Sequence, residues 1–289
     1  MDKGKVRFAV MFLTPAFLLY SVFIILPMLA SVYISLTDWR VGRTINFIGL
    51  GNFIELFGDS DYWTVLKNSF TLVIATVVFQ VSLGLIFAYM LFWTIRGFRF
   101  FRSVFFMPVV VAPIAIGVLF SILYNGDIGP INKLLGDVGL SWLERNWMSD
   151  RNVVLYSVIF PSVWQYIGLY VVIFLAGLRG IPREYFDSAS IDGASRVRMF
   201  FSIAIPLLRE IIVLCVILAA TGSIRAFDHS WALTKGGPGL ASAYFATLVY
   251  KRAFLESRFG YGSAITVTVL VYSLIFTVLF RRLFIKDIK

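Results

Sequence analysis

Six stretches of this chain, residues 8–36, 65–95, 104–124, 153–178, 207–233 and 262–280, are long apolar runs. A helix that crosses the hydrocarbon core of a bilayer needs about 20 predominantly apolar residues, because each residue advances it by only about 1.5 Å. Lipid offers no water to satisfy backbone N–H and C=O groups, so a spanning segment must satisfy them internally. The runs therefore predict an all-α membrane protein of six transmembrane helices, with residues 1–289 forming a single transmembrane domain. Composition agrees: 59% of the residues are apolar, only 15% are charged, and the mean hydropathy is +0.85. The first run is too apolar over too great a length for a cleaved leader, and no small-x-small site follows it. It is expected to remain as a helix.

The net charge of +10 is arranged by topology. Basic residues sit mostly between the apolar runs, which fits retention of lysine and arginine on the cytoplasmic side and not a nucleic-acid surface. With the N-terminus inside, the four inside segments hold 15 of the 26 lysines and arginines but only 6 of the 16 acids. They begin with Lys3, Lys5 and Arg7, include Arg96, and end with Arg281, Arg282, Lys286 and Lys289. Both termini are expected to be cytoplasmic. The lone cysteine, Cys215, lies inside an apolar run, and no Cys/His spacing suits a metal, so no metal site is expected.

Several spans carry helix breakers. Pro108 and Pro113 lie within or beside span three, Pro161 lies inside span four, and Thr221-Gly222-Ser223 is expected to interrupt span five. Such breaks either kink helices around a cavity or serve ordinary packing. Span five also holds Arg225, Asp228 and His229, with Trp231 just beyond. At membrane depth such groups would face a cavity or each other, and Arg225 and Asp228, three apart, could pair on one helical face. The alternative is that the helix has already reached the outer interface. Trp164, Gln165 and Tyr166 combine rings with an amide, which suits a sugar or, equally, packing. These seven residues are the candidates for a solute route. Outside the spans, Gly236-Gly237-Pro238 signals a turn. The ASAYFATLVY that ends at Tyr250 is too short to span and reads as a re-entrant or surface-lying helix.

No phosphate-binding loop of the G-x-x-x-x-G-K-[ST] type occurs, and neither H-E-x-x-H nor G-x-S-x-G is present. These absences weigh against an enzyme, and no catalytic residue is assigned. Scarce acids within the spans weigh more mildly against an ion-coupled secondary carrier, the alternative function; a membrane scaffold without a pathway is a third reading.

The segment 182–206 lies between spans four and five, on the side assigned to the cytoplasm. Pro182 suits a first helical position, Glu184 and Asp187 complement the start of a helix dipole, Gly193 suits a left-handed end, and Ser195 suits the cap of a second helix. These residues predict a short rigid helix held at the membrane face, either a docking element or a connector. Their order resembles the EAA motif of permease subunits of bacterial ABC importers: Glu-Ala-Ala, three residues, Gly, nine residues, Ile-x-Leu-Pro. Here it runs Asp187-Ser188-Ala189, three residues, Gly193, nine residues, Ile203-Ala204-Ile205-Pro206, with Asp187, Ser188 and Ile205 departing from the pattern. FIGLGNF at 47–53, AGLRGIPREYFDSASIDGAS at 176–195, LTKGGPG at 233–239 and RFGYGSA at 258–264 are similar to the maltose- and glycerol-phosphate-type branch of that family.

The resemblance implies a translocation subunit of an ATP-driven sugar importer in a bacterial inner membrane, surrounded by lipid. Its implied partners are a second homologous permease subunit, two copies of an ATP-binding subunit and an extracytoplasmic sugar-binding protein, with no nucleic acid. ATP and magnesium would sit on the partner subunits, leaving no cofactor on this chain. Glu184, Tyr185, Asp187, Ser188, Ala189, Asp192 and Gly193 would couple to the ATPase, and Gly236, Gly237 and Pro238 would lie near the binding protein or delivered cargo.

Overall fold

A computed structural model of the chain describes residues 3–93 and 97–285. Arg96, Lys286 and Lys289, which enter the charge argument, lie outside the described residues. No strand occurs among the described residues, only isolated bridges of Thr37 with Phe47 and Arg40 with Arg258. Two compact units are distinguished: one holds the chain up to Asp59 together with Leu248–Leu270, the other Ser60–Thr247 together with the chain from Val271.

In the first unit, α1 (Lys3–Tyr20) passes through a π-helical turn, Ser21–Ile25, into α2 (Leu26–Ser35), and α3 (Gly51–Gly58) follows a loop. Met11–Ser35 is long and apolar enough to cross a membrane, yet its side chains are almost all exposed. In water so much exposed apolar surface would be costly, whereas in lipid it is already solvated by its surroundings. Asn52 closes the end of α2, its Nδ2 donating to Ser35 O and Thr37 O at 2.8 Å each. The later part of this unit supplies a second polar clamp. Arg258 donates to both carboxylate oxygens of Glu55 at 2.6 Å. The Tyr261 hydroxyl donates to Asp59 at 2.7 Å.

The second unit contains α4 (Ser60–Ala75), a π-helical turn Thr76–Val81, α5 (Ser82–Phe92), α6 (Phe98–Val110), α7 (Pro113–Leu123) and α8 (Pro130–Asp137). Next come α9 (Val154–Arg179), α10 (Arg183–Ile191), α11 (Arg196–Met199), a π-helical turn Phe200–Ala204, α12 (Ile205–Leu207), α13 (Arg209–Ile224) and α14 (Asp228–Thr234). Beyond these, α15 (Phe245–Tyr250) runs into a further such turn, Lys251–Leu255, and α16 (Phe259–Ile285) closes the described chain. The α9 helix is the axis of the second unit: Val171, Phe174 and Leu178 are fully buried against Ala88 of α5, Phe186 of α10 and Leu208. Helices without side-chain bulk can approach most closely in lipid. Accordingly, a Cβ on Gly84 would stand 2.5 Å from Tyr170 Cβ, and one on Gly168 would collide with the Phe105 carbonyl.

Among the described residues, four helices are long and apolar enough to cross a membrane, and the number rises to 6 if two bent pairs each count as one span. The pairs are α6 with α7, bent by 94°, and the Arg196–Leu207 segment with α13, bent by 75°. The first bend lies between Pro108 and Pro113, as expected. Two other expected interruptions do not occur. Pro161 lies inside an unbroken α9. Thr221-Gly222-Ser223 lies inside an unbroken α13, because Thr221 and Ser223 turn their hydroxyls back onto Ile217 O and Ala219 O, each at 2.7 Å. Bonded in this way, the hydroxyls no longer compete with the helix. The chain breaks instead at Arg225–Phe227, before α14.

Candidate functional site

A cavity of about 370 Å³ is bounded by the Thr76–Val81 turn, α9, the end of α13 and the start of α14. The break after α13 creates it: with the helix interrupted, Arg225, Asp228 and His229 are presented to the space together with Tyr166 of α9. Of the seven route candidates these four line the cavity. Arg225 and Asp228 do not pair on one face, since Arg225 caps α13 while Asp228 opens α14, and the guanidinium Nε donates to Thr221 O at 3.3 Å.

The other three candidates lie elsewhere. Trp164 meets Phe120 edge to face, with centroids 5.8 Å apart. Trp231 stacks on Phe227 at 5.5 Å and 16°, supporting a ring that does reach the cavity. Gln165 is 0% exposed and serves the broken span. At the end of α6, Gln165 Nε2 donates to Val111 O at 2.8 Å and adds a second donor at 3.2 Å to Pro108 O, which also accepts the Val111 N–H at 3.3 Å. Its Oε1 stands 2.8 Å from His229 Nε2. With the amide nitrogen committed to two carbonyls, Oε1 can only accept, so the His229 proton resides on Nε2.

Sequence reasoning missed Thr76, Gln80, Ser162 and Ser223, which also line the cavity. Gln80 Nε2 donates to Ser162 O at 3.0 Å, and the Thr76 and Ser223 hydroxyls are 2.7 Å apart. A signal existed: Thr76 and Gln80 are polar, four residues apart and inside an apolar run, hence on one helical face.

The Gly236-Gly237-Pro238 turn is built as a rigid loop. Gly236 takes φ 79°, which permits the reversal, and the fully buried Ser242 donates to Gly237 O at 2.7 Å. Asn68 Nδ2 lies within 3.2 Å of the Leu240, Ala241 and Ala243 carbonyls. The ASAYFATLVY segment that follows is helical only from Phe245, and Ala243, Tyr244 and Phe245 are buried, so it does not lie on the surface.

The 182–206 segment contains the predicted short helix, α10. Pro182 is its cap and not its first helical residue, a shift of one position. Gly193 has φ 76°, its N–H donates to Ser190 O at 3.1 Å, and the Ala194 N–H donates to Ala189 O at 2.9 Å. Those two bonds form the paired left-handed closure of a helix end. Ser195 caps α11, accepting from Arg198 N at 3.2 Å. Only Phe186 of α10 is buried, wedged against Phe92 and Trp93. Glu184, Tyr185, Asp187, Ser188, Asp192 and Gly193 are exposed and Ala189 is half-buried. One ring thus anchors a helix whose remaining faces are open, and an added Cβ on Gly193 would meet nothing within 4 Å.

Comparison with known proteins adds an independent line. A family described as the binding-protein-dependent transport system inner membrane component matches residues 80–285. The chain is 36% identical over 277 residues to a probable ABC transporter permease protein, YurN, of Bacillus subtilis, covering 95% of this chain and 94% of that protein. It is 32% identical over 262 residues to the multiple sugar-binding transport system permease protein MsmF of Streptococcus mutans, covering 90% and 89%. In three dimensions it is similar to a chain in the crystal structure of a bacterial alginate ABC transporter in complex with alginate pentasaccharide-bound periplasmic protein. There the TM-score is 0.85 at 17% identity, over 96% of this chain and 94% of that one.

Proposed function

The chain belongs to the family of binding-protein-dependent transport system inner membrane components, and from that premise we propose that it translocates a sugar delivered by an external binding protein. The cargo is a mono- or oligosaccharide, or a sugar or polyol derivative. The sugar system of the Streptococcus mutans relative supports this class. So does a cavity of about 370 Å³ that sets Tyr166 and Tyr170 beside amide and hydroxyl groups.

Energy comes from outside the chain. ATP and magnesium sit on two ATP-binding subunits, and a second homologous permease subunit completes the route. Both termini and α10 face the cytoplasm, where α10 seats in the ATP-binding subunit. The single observation that carries this reading is the build of α10: one buried ring, a closed C-terminal cap and an otherwise open surface. Such a helix moves as a rigid lever when a partner pushes on it. Closure of the two ATP-binding subunits then swings the permease pair between inward-facing and outward-facing states.

Cross-linking tests the docking. A cysteine at Ser188, in a chain carrying Cys215→Ala, is expected to form an adduct with the ATP-binding subunit in the assembled complex. The yield should change when ATP is trapped. An adduct that forms only with the external binding protein would contradict the reading.

A further inference from the structure

Resting on the cargo route just proposed, we infer that His229 and Gln80 present hydrogen-bond acceptors to the hydroxyl groups of the cargo, with their donors consumed inside the protein. The polarity of both side chains is fixed by what lies behind them. Gln165 Nε2 is held by Pro108 O and Val111 O, so its Oε1 takes the His229 Nε2–H at 2.8 Å. Gln80 Nε2 is likewise turned onto Ser162 O at 3.0 Å. His229 Nδ1 and Gln80 Oε1 remain. No described residue satisfies either atom, neither atom is sealed from solvent, and both residues line the cavity. A neutral imidazole with its proton on Nε2 offers Nδ1 only as an acceptor, and the oxygen of an amide offers nothing else.

Nearby hydroxyls follow the same pattern. Ser162 donates to Val158 O at 3.0 Å, and Ser223 donates to Ala219 O at 2.7 Å. The carboxylate of Asp228 adds a further acceptor at the start of α14. A cargo rich in hydroxyl donors fits such a wall. The broken span also gains a role: the carbonyls at its break set the Gln165 amide, the amide sets the histidine tautomer, and the tautomer sets the face shown to cargo.

Two substitutions separate this role from a structural one. His229→Asn places an amide oxygen close to the position of Nδ1 but loses the donor to Gln165. His229→Gln keeps a donor near Nε2 and loses the cavity acceptor. Uptake is measured per assembled importer, with glucose, maltose, trehalose and sucrose as probes. His229→Asn is expected to lose less uptake than His229→Gln, which loses about 3- to 10-fold, the worth of one hydrogen bond. The reverse order, or equal effects, would overturn the assignment.

A second measurement does not depend on the probe. His229 is the only histidine in the chain. In an importer assembled with only this chain carrying [15N]histidine, one neutral ring protonated at Nε2 is expected. A ring protonated at Nδ1 would overturn the assignment. A wild-type importer that accumulates none of the four sugars would count against the sugar reading, and the tautomer would still decide the polarity of His229.

Discussion

A leucine at position 165 would leave Val111 O without a donor among the described residues, while Pro108 O keeps the Val111 N–H. A carbonyl stripped of its partner costs at most about 1–3 kcal/mol, and less where it is only part-buried, as here. Gln165→Leu is therefore expected to lower the thermal midpoint of the detergent-solubilised protein. Gln165→Glu, which has at most one O–H to donate where the amide has two N–H, should also fall below the wild type. Gly193 makes a different case. An added Cβ there meets nothing within 4 Å, so Gly193→Ala loses only the left-handed preference at φ 76°, about 1–2 kcal/mol. A bulkier Gly193→Trp should leave the isolated chain nearly as stable as the alanine variant yet reduce co-purification with the ATP-binding subunit. If co-purification were normal, the Gly193 surface would not be a docking surface. Residue chemistry was the least legible part of the sequence. Gln165 carries the composition of a sugar contact, but its partners are carbonyls more than fifty positions earlier, freed by a bend that two prolines signal without naming a donor.

Among elements, α9 holds the second unit together through contacts made where a neighbour has no room for a side chain. A leucine at Gly84 or Gly168 would force apart the α5–α9 or α6–α9 pair. The expected outcome is loss of folded protein in a size-exclusion assay, larger for Gly168, whose added Cβ would stand nearer to the Phe105 backbone than one on Gly84 would to Tyr170. Wild-type elution of Gly168→Leu would refute the packing described. Most elements were legible because lipid imposes length and apolarity on a spanning helix, and the six runs carry both. Breaks were less so. Pro108 and Pro113 mark a real bend, whereas Pro161 and Thr221-Gly222-Ser223 lie in continuous helices. A hydroxyl that finds a carbonyl one turn back can sit within a continuous helix, and sequence does not reveal which carbonyl it will choose. The segment 182–206 was legible almost residue by residue, since caps and left-handed glycines act locally.

For the whole molecule, the account assigns a driving force and a direction. It places α10 on the side of ATP and the loop at Gly236-Gly237-Pro238 on the side of the binding protein. The charge distribution, the open surface of α10 and the family all support one arrangement. In a chain carrying Cys215→Ala, a single cysteine at Ser188 should react with a membrane-impermeant maleimide only in inside-out vesicles, and one at Asp127 only in right-side-out vesicles. The central claim is tested most directly by uptake into proteoliposomes holding this chain with its permease partner and ATP-binding subunits. The account predicts accumulation of sugar only with ATP on the face bearing α10 and loaded binding protein on the opposite face. Accumulation driven by an ion gradient without ATP, or by ATP supplied to the face of the Gly236-Gly237-Pro238 loop, would contradict it.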